Sequence, residues 1–171
     1  MTGFAHPQEM WNKRFSTPDY VFGEEPNAFL VAQAALLGQG RALALAAKHQ
    51  VQVNFSCSDW QSFDWQAKHY DLVAGIFFQF AAPAERAELF EKIKHCLKPG
   101  GTVVIQGYGL NQLSYNTGGP GKIDHLYDEA LLHQAFAGYD VLTSSTYETT
   151  IHEGAGHSGM SALVGFVARK P

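Results

Sequence analysis

HYDLVAGIFFQFAAPAERAELFEKIKHCLKPGGTVVIQGY, residues 69–108, is the stretch whose reading decides the fold. From Asp71 the continuous apolar run LVAGIFFQF reads as a strand buried on both faces, as in a parallel sheet covered on two sides. Pro83 to Leu97 sets Leu89, Ile93 and Leu97 at four-residue spacing, with Phe90 and Cys96 beside them. Glu85, Arg86, Glu88 and Lys92 fall on the other side, so the segment reads as an amphipathic helix. Lys98-Pro99-Gly100-Gly101 stops it, and Thr102 to Tyr108 reads as the next strand. Strand, helix and strand in succession predict a βαβ unit and a parallel pair.

Outward from this unit the pattern continues. Asn27 is placed to cap a helix over Ala28 to Leu37, which Gly38-Gln39-Gly40 ends. Ala42 to His49 alternates Ala and Leu like a small buried strand, yet its residues favour helix equally. Val51, Val53 and Phe55 alternate with polar residues as a strand that ends near Asp59, and a loop carrying Trp60, Phe63 and Trp65 follows. Only eight residues separate Arg41 from Gln50, too few for a parallel crossover, so Ala42 to His49 is expected to run directly into the strand at Val51. Tyr127 to Phe136 reads as a short helix. Tyr139 to Thr150 and Ser161 to Arg169 read as an antiparallel strand pair. The whole predicts a three-layer α/β domain, in which ligands bind beyond the carboxyl ends of the strands. Asp59-Trp60, Phe77 to Phe80 and Tyr108 lie at those ends.

The 171 residues suit one domain, an aromatic N-terminal cap segment over residues 1–27 and an α/β core over 28–171. Hydrophobic residues make up 46% of the chain, and a chain of this length buries roughly 70% of its unfolded surface. A net charge of −4, scattered along the sequence, argues against a nucleic-acid partner, which wants a concentrated basic face. The longest apolar run, Leu72 to Phe78, is far short of the ~20 residues of a membrane span. The opening MTGFAHPQEMWNKRF has no apolar stretch of the secretory type. With two cysteines, Cys57 and Cys96, read as small buried hydrophobes, a reducing cytoplasm is the expected compartment.

The segment 69–108 resembles the second half of a class I S-adenosylmethionine-dependent methyltransferase, by Asp71-Leu72-Val73 opening one strand and Leu97-Lys98-Pro99-Gly100-Gly101 leading into the next. The N-terminal Tyr-x-Phe-Gly-x-Glu-Pro-Asn (Tyr20 to Asn27) and the Glu-Gly-x-Gly-His tail (Glu153 to His157) are similar to the small tellurite-resistance/thiopurine-type methyltransferases of bacteria. That resemblance implies a Rossmann-like sheet and methyl transfer to a small-molecule acceptor. It also implies that Tyr20, Phe22, Gly23, Asp59, Trp60, Phe78 and Gln79 line the cofactor, and that Phe80, Tyr108 and His157 face the substrate. In-line displacement at a sulfonium needs held geometry and a dry aromatic cleft, with no metal and no covalent nucleophile, so no residue is assigned as catalytic.

One departure matters. Where the family has a strand, an acidic glycine-rich loop, a helix and a further strand, this chain passes from Gly40-Arg41-Ala42 to Ala47-Lys48-His49-Gln50. About one βαβ unit, ~30 residues, is missing. S-adenosylmethionine binding is therefore expected to be weak or absent. The shortened sheet edge is expected to expose apolar surface and to favour self-association. The alternative function is a degenerate, non-catalytic methyltransferase fold acting as a binding or assembly module.

Other motifs read blandly. Gly38-Gln39-Gly40 lacks the third glycine of a dinucleotide loop, since Leu43 stands there. Asn116 to Lys122 lacks the first glycine and the Ser/Thr of a phosphate loop, and reads as a substrate-side loop. His152, Glu153 and His157 do not have helical metal-ligand spacing and read as a turn between strands. Asp59 reads either as an adenine contact or as a helix cap. Trp60, Phe63 and Trp65 read equally as cleft or core.

Overall fold

The computed structural model describes residues 25–37, 40–44, 59–153 and 157–171. Among the described residues five strands form one sheet: β1 (Ala42–Ala44), β2 (Tyr70–Ile76), β3 (Leu97–Tyr108), β4 (Asp140–Glu153) and β5 (His157–Arg169). Their spatial order is β1-β2-β3-β5-β4. β1, β2 and β3 are parallel, and β5 runs antiparallel to both β3 and β4. The expected parallel βαβ unit and the terminal antiparallel pair are both present.

The sheet is covered on both faces. On one, α2 (Pro83–Cys96) turns Leu89, Phe90, Ile93 and Cys96 onto Val73, Val103, Ile105 and Phe166. The short helix α3 (Glu129–Ala135) adds Leu132 to the same cluster. On the other face, α1 (Ala28–Ala32) sets Phe29 against Ala74, Val104 and Val167. Val103, Val104 and Ile105 thus alternate between two cores, as successive residues of a strand must. Phe29 reaches the sheet because residue 165 is glycine: a Cβ there would stand 2.3 Å from the Phe29 ring. No helix of the described residues is long and apolar enough to cross a membrane.

Several boundaries move from the sequence reading, each for a local reason. α1 stops at Ala32, and a 3-10 turn over Ala34–Leu36 replaces its last turn. α3 begins at Glu129 because the Asp128 side chain accepts from Leu131 N at 2.7 Å, while Tyr127 is held in a bridge to Gly109. β2 ends at Ile76, short of the apolar run FFQF, because Phe77 takes a positive φ of 51°. β3 starts at Leu97, which pairs with Tyr70 ahead of an irregularity in register, so Lys98-Pro99-Gly100-Gly101 lies within the strand. Gly100, at φ 75°, donates its N–H to Lys170 O at 2.9 Å there. The expected strand over Val51, Val53 and Phe55, and the run of Ala42 to His49 into it, fall on residues 45–58, outside the described residues. Of that segment only Ala42–Ala44 is described, as the strand β1 parallel to β2.

Candidate functional site

Beyond the carboxyl ends of β2 and β3 the chain collects aromatic and polar side chains. Phe77 leaves β2 in the left-handed region, where a bulky residue costs roughly 1–3 kcal/mol. The turn is held by Phe77 N–H donating to Gln106 O at 2.9 Å. Its ring lies 4.8 Å from that of Tyr108, at the end of β3, and 4.5 Å from His157, at the start of β5. Phe78, expected beside the cofactor, goes instead into the main core: its ring meets Phe90 and Tyr127 edge-on, and a Cβ on Gly75 would come within 2.3 Å of it.

Gln79 is buried under the same turn. Its amide nitrogen donates to Tyr108 O (2.9 Å) and His125 O (3.0 Å), and its side-chain oxygen accepts from Tyr108 N. His125 Nδ1 in turn lies 3.2 Å from Gln79 O, as a donor. Both amide hydrogens being engaged, Gln79 braces the end of β3 and has none left for a ligand.

A second polar web joins three elements. Asn27 caps α1, its Oδ1 accepting from Leu30 N at 3.0 Å. The same side chain donates through Nδ2 to Gln106 Oε1 (2.7 Å) and to Glu153 Oε1 (2.9 Å). Gln106 passes the chain on, its Nε2 donating to the Tyr147 hydroxyl at 2.8 Å. The other Glu153 oxygen lies 3.8 Å from His157 Nδ1.

Between the aromatic group and this web stands Tyr108, only 2% exposed. Its hydroxyl has no hydrogen-bond partner among the described residues. Burial first, then the negative charge of Glu153, pushes the phenol up to about 12. It therefore stays protonated at neutral pH and can donate. A buried hydroxyl left unpaired costs on the order of 1–3 kcal/mol, a deficit that a polar ligand atom would remove.

The remaining sequence-derived residues divide as follows. Asp59 forms a local turn, its Oδ1 accepting from Gln61 N (2.9 Å) and its carbonyl from Ser62 N and Phe63 N; among the described residues no helix follows it for a cap to serve. Trp60 is half-buried against the main core and gives its carbonyl to Trp65 Nε1 at 2.8 Å. Its ring lies 6.5 Å from Phe80, which is 44% exposed. Tyr20, Phe22 and Gly23 lie outside the described residues. The rings of Tyr108 and His157 lie 5.7 Å apart, Phe77 stands beside them at the strand end where the sequence put it, and Asn27, Gln106, Tyr147 and Glu153 join them without having been singled out as site residues. Asn27 and Glu153 had a signal, since they close and open the two terminal motifs. Gln106 had another, as the polar residue in the apolar strand VVIQGY.

S-adenosylmethionine, the cofactor implied by the resemblance, can be tested against this group. Its sulfonium end fits: aromatic faces at Phe77 and Tyr108, an unpartnered donor on Tyr108, and the Glu153 carboxylate as counter-charge. For its middle, residues 41–74 contain no glycine, the residue that most readily lets a backbone approach a ligand closely. An open depression lined by Phe63, Asp64, Trp65, Glu88, Glu91, Lys92 and His95 lies along the later turns of α2, away from these strand ends.

No protein-family model and no curated protein sequence matches the chain. Solved structures do. A structure from the work on conversion of a disulfide bond into a thioacetal group during echinomycin biosynthesis is similar over 95% of this chain and 91% of its own, at 12% identity and TM-score 0.62. A SAM-dependent methyltransferase from Methanosarcina mazei is similar over 86% and 79%, at 18% identity and TM-score 0.53. The N-methyltransferase NodS from Bradyrhizobium japonicum, solved with S-adenosylhomocysteine, is similar over 71% and 56%, at 11% identity and TM-score 0.52. The chain folds as a shortened Rossmann-like methyltransferase sheet. It spans little more than half of NodS and 36% of TehB from Haemophilus influenzae, whose likeness (61% of this chain, 16% identity, TM-score 0.47) is too slight to weigh.

Proposed function

We propose that this chain transfers a methyl group from S-adenosylmethionine to a small-molecule acceptor and holds that donor weakly. The observation that carries the reading is the aromatic and polar group of Phe77, Tyr108, Glu153 and His157 beyond the carboxyl ends of β2 and β3, on a methyltransferase sheet. S-adenosylmethionine, when bound, supplies an electrophilic methyl carbon. The chain's own residues then have the tasks of orientation and exclusion of water, worth several kcal/mol of a displacement barrier when geometry is held. Phe77 and Tyr108 present ring faces to a cation, the Tyr108 hydroxyl donates, and Gln79 and Asn27 fix the two strands and the helix around them. The likeness of the terminal motifs supports a place near the tellurite-resistance/thiopurine type.

Weak binding of the donor follows from the glycine-free residues 41–74. Two lost ribose contacts to a carboxylate and one or two lost backbone contacts remove roughly 3–6 kcal/mol, or about two to four powers of ten in affinity. That same observation favours a second reading, a degenerate fold serving as a binding or assembly module. Self-association in either case runs through β1, three residues long and outermost of the described strands. A clean monomer by light scattering at high concentration excludes that route.

Calorimetric titration with S-adenosylhomocysteine separates the readings. It is done on the chain as it stands and on a version with a relative's glycine-loop segment inserted after Ala44, where β1 ends. The expected result is faint binding by the first and micromolar binding by the second. Low-micromolar binding by the unmodified chain overturns the weak-donor claim. Absence of binding by both overturns the methyltransferase reading.

A further inference from the structure

Residues 116–121 lie against the ring of Tyr108. A Cβ on Gly119 would stand 3.1 Å from Tyr108 Cδ2 and 3.3 Å from Cγ, so bare backbone touches the ring there. Phe77 packs on the same ring at 4.8 Å, and Tyr108 is left 2% exposed. Both ends of the segment are fastened. Before it, the 3-10 turn over Leu110–Ser114 is pinned by buried Gln112, which accepts from Ala162 N at 2.9 Å, and by Asn111, which donates to Glu148 Oε1 at 3.3 Å. After it, the 3-10 turn over Ile123–His125 is pinned by His125 on Gln79 and by Arg86, which donates to Asp124 O at 2.7 Å. Between these ends Thr117 Oγ1 donates to Met160 O. Gln112 Nε2 donates to Thr117 Oγ1 (3.1 Å) and to Gly118 O (3.2 Å). Asn116, Gly118, Gly119 and Gly121 all have positive φ, between 53° and 138°.

These are the parts of a hinged cover: fixed ends, a short run of backbone outside helix and strand, and glycines that reach other φ and ψ values without steric penalty. The cover also shuts the place a ligand must reach. While it lies down, Tyr108 can give a ligand neither its buried hydroxyl nor the ring atoms under Gly119. We infer that residues 116–121 form a strap that opens and closes over Tyr108, with Thr117 as its latch, and that this arrangement is its closed form. What the strap admits is taken from the methyltransferase reading; the strap itself stands on the residues just named. Opening exchanges the bonds of Thr117 and Gly118 for bonds to water, which costs far less than leaving them unmade. Opening of such a cover belongs to the microsecond-to-millisecond range.

Fluorine NMR on protein labelled with fluorotyrosine tests this, with the signals of Tyr108 and Tyr127 assigned by their loss in Tyr108→Phe and Tyr127→Phe. Tyr127, buried in the main core against Phe78 and Phe90, is the internal control. A soluble gadolinium chelate broadens whichever ring reaches solvent. In the unaltered protein the Tyr108 signal is expected to show microsecond-to-millisecond exchange, and that of Tyr127 none. Thr117→Val removes the latch and is expected to raise the broadening of Tyr108 about tenfold, with Tyr127 unchanged. Gly119→Ala sets a Cβ against the ring at a φ of 91°, so it is expected to act the same way and serves should Thr117→Val fail to fold. A Tyr108 signal without exchange, and no more broadened in either variant, overturns the inference. Broadening of Tyr108 and Tyr127 together also overturns it, because the whole fold would then be loosening. S-adenosylhomocysteine added to the chain with the inserted glycine-loop segment keeps the two claims apart. Binding there without any opening sinks the strap alone. Opening in a protein that never takes the cofactor product sinks the methyltransferase reading alone.

Discussion

Asn27 Nδ2 donates to Glu153 Oε1 at 2.9 Å, joining the cap of the first helix to the tip of the β4–β5 hairpin across 126 positions of sequence. Because the same side chain caps α1 and holds Gln106, Asn27→Ala removes three hydrogen bonds at once. The expected loss is about 1–3 kcal/mol, read as a lower urea midpoint. Asn27→Asp keeps the cap but sets a second carboxylate against Glu153. It is expected to recover the helix, not the tie, and so to fall between the two proteins. An alanine variant as stable as the wild type would show that the web contributes nothing.

Gln79 is the other single residue on which the strand ends depend. Gln79→Leu keeps the volume but leaves Tyr108 N–H and two carbonyls without partners in a buried place. A loss of about 2–4 kcal/mol is expected, with Gln79→Leu no better than Gln79→Ala, since unpaired polar groups and not the cavity set the cost. Chemical denaturation of the pair of variants checks this.

Phe77 and Phe78 are neighbours with opposite fates, and substitution should separate them. Phe78→Ala opens a cavity among Phe90, Tyr127 and Gly75, for an expected loss of about 3–5 kcal/mol. Phe77→Gly relieves the left-handed strain but gives up the ring's contacts with Tyr108 and His157, so its loss is expected to be clearly smaller than that of Phe78→Ala. Equal destabilisation by both would contradict the placement of Phe77 outside the core.

Glu129 sets an acid-side limit on stability. Ser144 Oγ donates to it at 2.6 Å, and Thr146 Oγ1 donates at 3.1 Å, which hold its carboxyl below the ordinary value. The Lys98 ammonium, 2.7 Å away, and Arg41 N–H do the same for Asp71. A depressed carboxyl contributes stability that is complete above its unfolded value, about 4, and is lost as pH falls through the folded one. The urea midpoint is therefore expected to drop from pH 6 to pH 3, and to drop less in Glu129→Gln and in Asp71→Asn. Parallel pH profiles for variants and wild type would remove these two groups as the cause.

β4 and β5 were legible in the sequence as two strand-like runs near its end, and four-residue spacing made α2 plain because it reports one buried face. Their pairing on the far side of β3 followed from the order of elements. What the sequence did not carry was direction at a turn. FFQF reads as strand throughout, yet one positive φ at Phe77 sends Phe77 to the site, Phe78 to the core and Gln79 to the backbone of β3. Residue type cannot reveal that, since a left-handed phenylalanine is held by contacts formed only in the fold. Asn27 and Glu153 were visible as motif members, but a hydrogen bond spanning most of the chain has no local signature. Tyr108 was singled out by its position at the end of a strand, and His157 by the Glu-Gly-x-Gly-His motif of the resemblance.

β5, the last strand along the chain, is not the last across the sheet: it lies between β3 and β4 and pairs with both. A chain synthesised from its amino end therefore carries β3 with one side open and β4 with no partner until residues 157–169 have been made. Two ribbons with bare hydrogen-bonding edges wait together for a third. That interval, rather than the finished fold, is when this protein is most exposed to pairing with a neighbour, and a holding chaperone would act on the nascent chain then.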